Sequence, residues 1–214
     1  VKSQFMYSGY YKDPEATARK MKDGWYATGD FGHIDEKGHL IVIDRMEDLK
    51  TLAGGKKFSP QYTEVRLRFS PYIKDVLVVG GEDKEYVTAL INIDLENVGR
   101  FAESRRIPYT TFTDLTQKVE IIDLVKREVE KVNRTLPEYA RVKRFVNLHK
   151  EFDADEAELT RTRKLRRTFV EDRYKDLVSA LHGDSPEYAV EAAITYRDGR
   201  KGVIKTEIHI NKLN

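Results

Sequence analysis

Three short stretches combine residue types that could handle a phosphorylated ligand. The first is "GWYATGD", Gly24 to Asp30. Gly29 lets the chain bend sharply, and Asp30 then offers a carboxylate whose two oxygens suit the vicinal hydroxyls of a ribose. The plain alternative is a turn in which Thr28 and Asp30 bond local backbone. The second stretch is "IDRMEDLKTLAGGKKFSP", which includes Arg45. Its guanidinium is a fork of donors for phosphate or ribose oxygens, and Gly54-Gly55 would let a ligand approach the backbone closely. The Gly-Lys-Ser/Thr ending of a phosphate-cradling P-loop is missing, and the alternative is a solvated linker. The third stretch is "LTRTRKLRR", Leu159 to Arg167. One of its cations could reach a phosphate in an active site. It could also be a solvated face at a helix start, where the helix dipole disfavours cations, or a nucleic-acid patch. Against the patch, the cluster is short and no aromatic stacking pattern accompanies it.

These stretches need elements to hold them. "KDPEATARKM" reads as a short helix with Asp13 as N-cap and Pro14 at the first helical position. Phe31–Asp35 and Leu40–Asp44 read as strands around a Glu36-Lys37-Gly38 turn. Gly54-Gly55 and a fall in apolar content mark a candidate boundary, after which Ser59-Pro60 cap a helix to about Phe69. Two apolar strands follow around Gly80-Gly81-Glu82-Asp83. "LENVGRFAESRR" suggests a helix. "VEIIDLVKREVEKV" is a stronger one, with Val119, Ile122, Val125, Val129 and Val132 at helical spacing and Asp123–Arg127 as an i,i+4 pair. "RVKRFVNLH" reads as a strand and "DADEAE" as a solvated loop. "KLRRTFVEDRYKDLVSALH" reads as one helix with a stripe at Leu165, Phe169, Leu177 and Leu181. The tail reads as a hairpin turning around Asp198-Gly199. Strands and helices mix without regular βαβ alternation, which predicts an α+β fold.

Composition narrows the classes. The chain has 214 residues, 35% charged and 40% hydrophobic, a globular balance. Its net charge of +2 gives no general pull toward nucleic acid or acidic membranes. There are no cysteines, so disulfides, thiolate metal sites and a cysteine nucleophile are excluded. No apolar run approaches the roughly 18 residues of a spanning helix.

Taken in order, "GYYKDPEAT", "GWYATGD", "GHLIVIDR", "AGGKKFSPQYTE", "LPEYARVKRFV" and "LTRTRKLRR" resemble the C-terminal third of adenylate-forming enzymes. The acyl-CoA synthetase branch, and within it the long-chain fatty-acid–CoA ligases, is the nearest likeness. It spans the chain from about Gly9 onward. Such enzymes join a fatty acid to AMP from ATP, with Mg2+, and then pass the acyl group to coenzyme A. The resemblance implies that Asp30 holds the ribose hydroxyls and that Arg45 contacts the nucleotide. It implies that Lys164 bridges acyl carboxylate and phosphate oxygens as the catalytic cation, that Lys56 faces coenzyme A, and that Glu47 is the hinge. No metal ligand is assigned to the chain. Many relatives carry glycine where Arg163 stands, which puts the reach of the Lys164 loop in question.

The same resemblance implies a domain plan. Residues 1–44 would be the last β-rich piece of a large N-terminal adenylation domain, 45–49 the hinge, and 50–214 a small mobile C-terminal domain with short sheets flanked by helices. The phosphate loop and acid pocket would lie in the missing N-terminal domain, so the fragment alone is expected to be inactive. The expected partners are a fatty acid, ATP, coenzyme A and that missing domain, with no nucleic acid. The expected location is the cytoplasm, with peripheral membrane contact an option for an enzyme of apolar substrates. The rivals are an adenylating enzyme that loads a carrier protein and a stand-alone binding or regulatory module.

Overall fold

The computed structural model describes residues 1–195 and 201–213. The Asp198-Gly199 turn expected from the tail lies outside the described residues. The chain divides into two compact units, Val1–Leu49 and Lys50–Asn214.

In the first unit, helix α1 spans Pro14–Lys20, and Asp13 accepts a hydrogen bond from the Ala16 N–H as its N-cap. Strands β1 (Met21–Lys22) and β2 (Trp25–Tyr26) form a small hairpin. A second hairpin joins β3 (Asp30–Ile34) to β4 (Leu40–Arg45). Its turn is held by Asp35, which accepts from the N–H groups of Lys37 and His39. Those donors hold the Asp35 carboxyl below the usual carboxylate range, the His39 backbone N–H first among them.

The second unit opens with a hairpin of β5 (Lys50–Thr51) and β6 (Lys57–Phe58). Helix α2 follows over Pro60–Leu67, two residues short of the expected end, and Ser59 caps it by accepting from the Tyr62 N–H. Strands β7 (Ile73–Val79) and β8 (Val87–Ile93) pair antiparallel. The chain then crosses over through α3 (Leu95–Ser104), α4 (Phe112–Thr116) and α5 (Val119–Asn133). It returns as β9 (Val142–Asn147), parallel to β8. Helices α6 (Arg167–Arg173) and α7 (Lys175–His182) precede the long hairpin of β10 (Glu187–Thr195) and β11 (Lys201–His209). A last short strand, β12 (Asn211–Lys212), joins the sheet beside β9, giving the order β12-β9-β8-β7.

Strand alternation splits this sheet's side chains between two cores. Val76, Val78, Ala89, Ile91 and Phe145 face one, which α2, α3 and α5 cover with Leu67, Val98, Val125 and Val129. Leu77, Val79, Leu90 and Val146 face the other, which α6, α7 and the long hairpin cover with Val170, Leu181 and Ile208. The α+β expectation holds.

Three local expectations do not. Val119 is exposed, because the buried face of α5 runs through Ile121, Ile122, Leu124, Val125 and Val129. Among the described residues, Asp123 and Arg127 form no ion pair with each other. The expected single helix over residues 164–182 begins only at Arg167 and breaks at Tyr174, with Phe169 exposed and Val170 and Tyr174 buried instead.

Candidate functional site

The residues singled out above fall in both units. Asp30, Arg45 and Glu47 belong to the first, and Lys56 and Lys164 to the second.

Asp30 opens β3 and Arg45 closes β4, directly opposite each other. Arg45 Nη1 donates to Asp30 Oδ1 at 2.7 Å. This pairing depends on a β-bulge. From Ile34↔Leu40 to Gly32↔Val42 the register is regular, and then Phe31 pairs with Asp44, leaving Ile43 as the extra residue. Without that insertion Asp30 would face Asp44, a repulsive acid pair. Gly32 permits the bulge: a Cβ there would lie 2.4 Å from the Ile41 carbonyl oxygen. Thr28 does act as the local turn residue, since its hydroxyl accepts from the Asp30 N–H at 3.1 Å. The Asp30 carboxylate does not serve the turn. It faces the guanidinium, and its side chain is about one-third exposed (34%). Gly29 is in the left-handed region at φ +81°, so the bend expected of it is made. Glu47 is exposed in the turn after β4, two residues before the boundary between the units.

Lys56 is exposed in the loop of the β5–β6 hairpin. Gly55 takes φ +74° there, and the Leu52 N–H donates to the Lys56 carbonyl at 2.9 Å. The loop is anchored by Leu52 and Phe58, which pack over Gly80 so closely that a Cβ on that glycine would meet the Phe58 ring at 2.7 Å.

Lys164 sits on a closed turn. The Thr160 N–H donates to the Lys164 carbonyl at 2.8 Å, and the Lys164 N–H donates to the Thr160 hydroxyl at 3.0 Å. Leu159 and Leu165 form a β-bridge at the base. Arg163 adopts φ +59°, a left-handed conformation that glycine takes at no steric cost and that other residues take at roughly 1–2 kcal/mol. The arginine therefore leaves the turn intact at some cost in strain. The Lys164 side chain is exposed, with no carboxylate partner among the described residues.

Beneath this turn lies chemistry that the sequence pattern hid. "DADEAE" reads as solvated, yet its last residue, Glu158, is 0% exposed. Its carboxylate accepts from the Asp153 N–H at 2.9 Å and the Tyr174 hydroxyl at 3.0 Å. Arg173 Nε stands 3.3 Å away and Lys150 Nζ 3.4 Å away. Burial and this neighbouring carboxylate push the Tyr174 phenol upward, so it stays a donor. Asn92 of β8 holds the chain leading into the loop, accepting from the Phe152 N–H at 2.6 Å and donating to the Lys150 carbonyl at 2.9 Å. On the other stem, Arg167 bonds the nearly buried Glu64 of α2 and donates to the Val78 carbonyl at 3.0 Å. Glu64 also accepts from the Val78 N–H at 2.8 Å. The N–H and carbonyl of Val78, on an edge strand, are thereby satisfied by one acid and one base.

This arrangement is an exposed lysine turn on a small two-core domain, preceded by a hairpin that pairs an aspartate with an arginine. The chain as a whole is similar to known proteins. Residues 47–185 match the family described as AMP-binding enzyme C-terminal domain, and the chain belongs to that family. It is 31% identical over 183 residues to the long-chain-fatty-acid–CoA ligase FadD15 of Mycobacterium tuberculosis, covering 85% of this chain and 30% of that protein. It is 32% identical over 170 residues to long chain acyl-CoA synthetase 1 of Arabidopsis thaliana, covering 78% and 26%. Among solved structures, the adenylation domain of the carboxylate reductase from Mycobacterium chelonae superposes with a TM-score of 0.55 at 27% identity, covering 86% of this chain and 27% of that one. The chain thus spans about a third or less of the length of these proteins. Among the described residues no helix is long and apolar enough to cross a membrane.

Proposed function

We propose that this chain is the C-terminal part of an ATP-dependent long-chain fatty-acid–CoA ligase. The observation that carries the reading is Lys164, an exposed cation on a turn closed by Thr160 and built on buried supports. The named ligases at 31% and 32% identity supply the substrate class.

In the first half-reaction the fatty-acid carboxylate attacks the α-phosphate of ATP, forming acyl-adenylate and releasing pyrophosphate. Two anions must approach, and Lys164 between them lowers that barrier electrostatically. Asp30 accepts from the ribose hydroxyls, while Arg45 orients the carboxylate and reaches the nucleotide. In the second half-reaction the coenzyme A thiol attacks the acyl carbon and AMP leaves. Lys56 takes part there as a cation for coenzyme A. Residues 45–49 serve as the hinge, pivoting at Glu47, and residues 50–214 move between the two reactions. Among the described residues no cluster of three or more His, Asp or Glu side chains could hold a metal ion. Mg2+ accompanies ATP and neutralises its phosphates. The remaining nucleotide and acid pockets belong to the longer protein, and the fragment alone is inactive.

A second reading keeps adenylation but gives the acyl group to another acceptor, such as a carrier protein. The likeness to a carboxylate reductase adenylation domain favours it. One experiment separates the two. The full-length protein is given ATP, Mg2+ and a long-chain fatty acid, with and without coenzyme A. The ligase reading expects AMP, pyrophosphate and long-chain acyl-CoA. Acyl-adenylate that accumulates unchanged when coenzyme A is added would favour the second reading.

A further inference from the structure

The Lys164 turn closes on itself. Thr160 and Thr162 bond within it, and Arg166 bonds the nearby Ala157 carbonyl. Arg167 is the first residue on its C-terminal side whose polar atoms reach a distant element. One such element is α2, which begins at Pro60 after Lys56-Lys57-Phe58 and the Ser59 cap. We propose that the Arg167–Glu64 pair is a positioning device for Lys164, joining the turn that carries this cation to the helix that follows the Lys56 loop.

The geometry suits that role. Arg167 meets three groups at once, the Glu64 carboxylate with Nη2 and, with Nη1, the Val78 carbonyl and the Glu171 carboxylate at 3.5 Å. A planar fork held in two directions fixes an orientation that a lysine, as a compact point charge, does not. Glu64 is itself held by the Val78 N–H, so the acceptor cannot swing away. The Glu64 side chain is 9% exposed and that of Arg167 27%, which shields the pair from solvent screening. Only Leu165 and Arg166 separate Arg167 from Lys164, so a shift of the fork is passed to the lysine with little slack.

The inference rests on Lys164 acting in adenylation. It is tested by measuring both half-reactions of the full-length enzyme for Lys164→Ala, Arg167→Ala and Arg167→Lys. Amide exchange of residues 160–166 is followed in parallel. Arg167→Ala and Arg167→Lys should each slow adenylation by roughly tenfold or more and leave thioester formation from supplied acyl-adenylate within about twofold. Exchange at Arg163 and Lys164 should rise while that of β8 stays unchanged. Glu64→Gln combined with Arg167→Ala should be no slower than Arg167→Ala alone, because the Arg167–Glu64 contact is already lost in the single variant. Should Arg167→Ala fail to fold, Arg167→Lys decides. Equal losses in both half-reactions overturn the inference in favour of a purely structural pair. If Lys164→Ala blocks adenylation while Arg167→Lys does not, the positioning role alone is wrong. If Lys164→Ala spares adenylation, the assignment of Lys164 has failed and the positioning role falls with it.

Discussion

Arg45 stands opposite Asp30 only because Ile43 is bulged out of the β3–β4 ladder. The bulge replaces an acid facing an acid with an acid facing a guanidinium 2.7 Å away. The Arg45 bond engages Oδ1 and leaves Oδ2 outside it.

This sets the expectation for nucleotide binding. In the full-length enzyme, Asp30→Ala should lower kcat/KM for ATP by on the order of a hundredfold, since hydrogen bonds to a charged group contribute roughly 1.5–3 kcal/mol each. 2′-Deoxy-ATP should already be a poor substrate for the unmutated enzyme. The two losses should not multiply, because the hydroxyl and the carboxylate are partners. A kinetic comparison of both nucleotides in both proteins measures the coupling. Independent penalties would return Asp30 to a local role beside Arg45.

The buried carboxylate under the lysine turn makes a stability prediction. Glu158→Ala strands the Tyr174 hydroxyl and the Asp153 N–H, and leaves Arg173 and Lys150 with Glu156 as the carboxylate they share. It should lower unfolding free energy by about 3 kcal/mol. Tyr174→Phe should cost about 1–2 kcal/mol, and the two changes together should cost less than their sum. Urea unfolding of the four proteins reads this directly, and a Glu158→Ala loss below about 0.5 kcal/mol would contradict it.

His182 gives the chain a pH dependence. Burial pushes its imidazole down to about 4, with Lys84 acting in the same direction. The folded protein therefore holds His182 neutral, while the unfolded chain binds a proton below its ordinary value of about 6.5. The unfolded state takes up more protons as pH falls, so stability is full above about 6.5 and declines toward 4. The contribution is on the order of 2 kcal/mol after allowing for partial exposure. His182→Phe keeps the stacking on Tyr86 but cannot titrate. Urea midpoints between pH 7 and 5 should fall less steeply for this variant, and parallel slopes would show that His182 does not titrate as described.

What the sequence made legible was local. Asp13-Pro14 and Ser59-Pro60 start helices where caps and prolines do, and Gly29 bends the chain as its type suggests. The hidden parts are long-range. Glu64 lies 103 residues from Arg167, and no spacing rule connects them. Glu158 ends an acidic run that looks solvated, and its burial depends on partners such as Tyr174, 16 residues on at the α6–α7 break. That break has no proline or glycine to announce it. It occurs where the Tyr174 hydroxyl reaches the carboxylate, so tertiary bonding overrides a helical pattern. The bulge at Ile43 is equally silent, although Gly32 in mid-strand is the kind of residue that marks one.

Lys164 is the residue on which the proposed adenylation chemistry depends most directly. In the full-length enzyme, rapid-quench measurement of acyl-adenylate formation should show Lys164→Ala slowed by roughly a hundredfold or more. Thioester formation from supplied acyl-adenylate and coenzyme A should stay within about threefold of the unmutated enzyme. That split is the signature of a cation used in one half-reaction. An equal fall in both, or adenylation at the unmutated rate, would contradict the reading of this turn as the adenylating face of the domain.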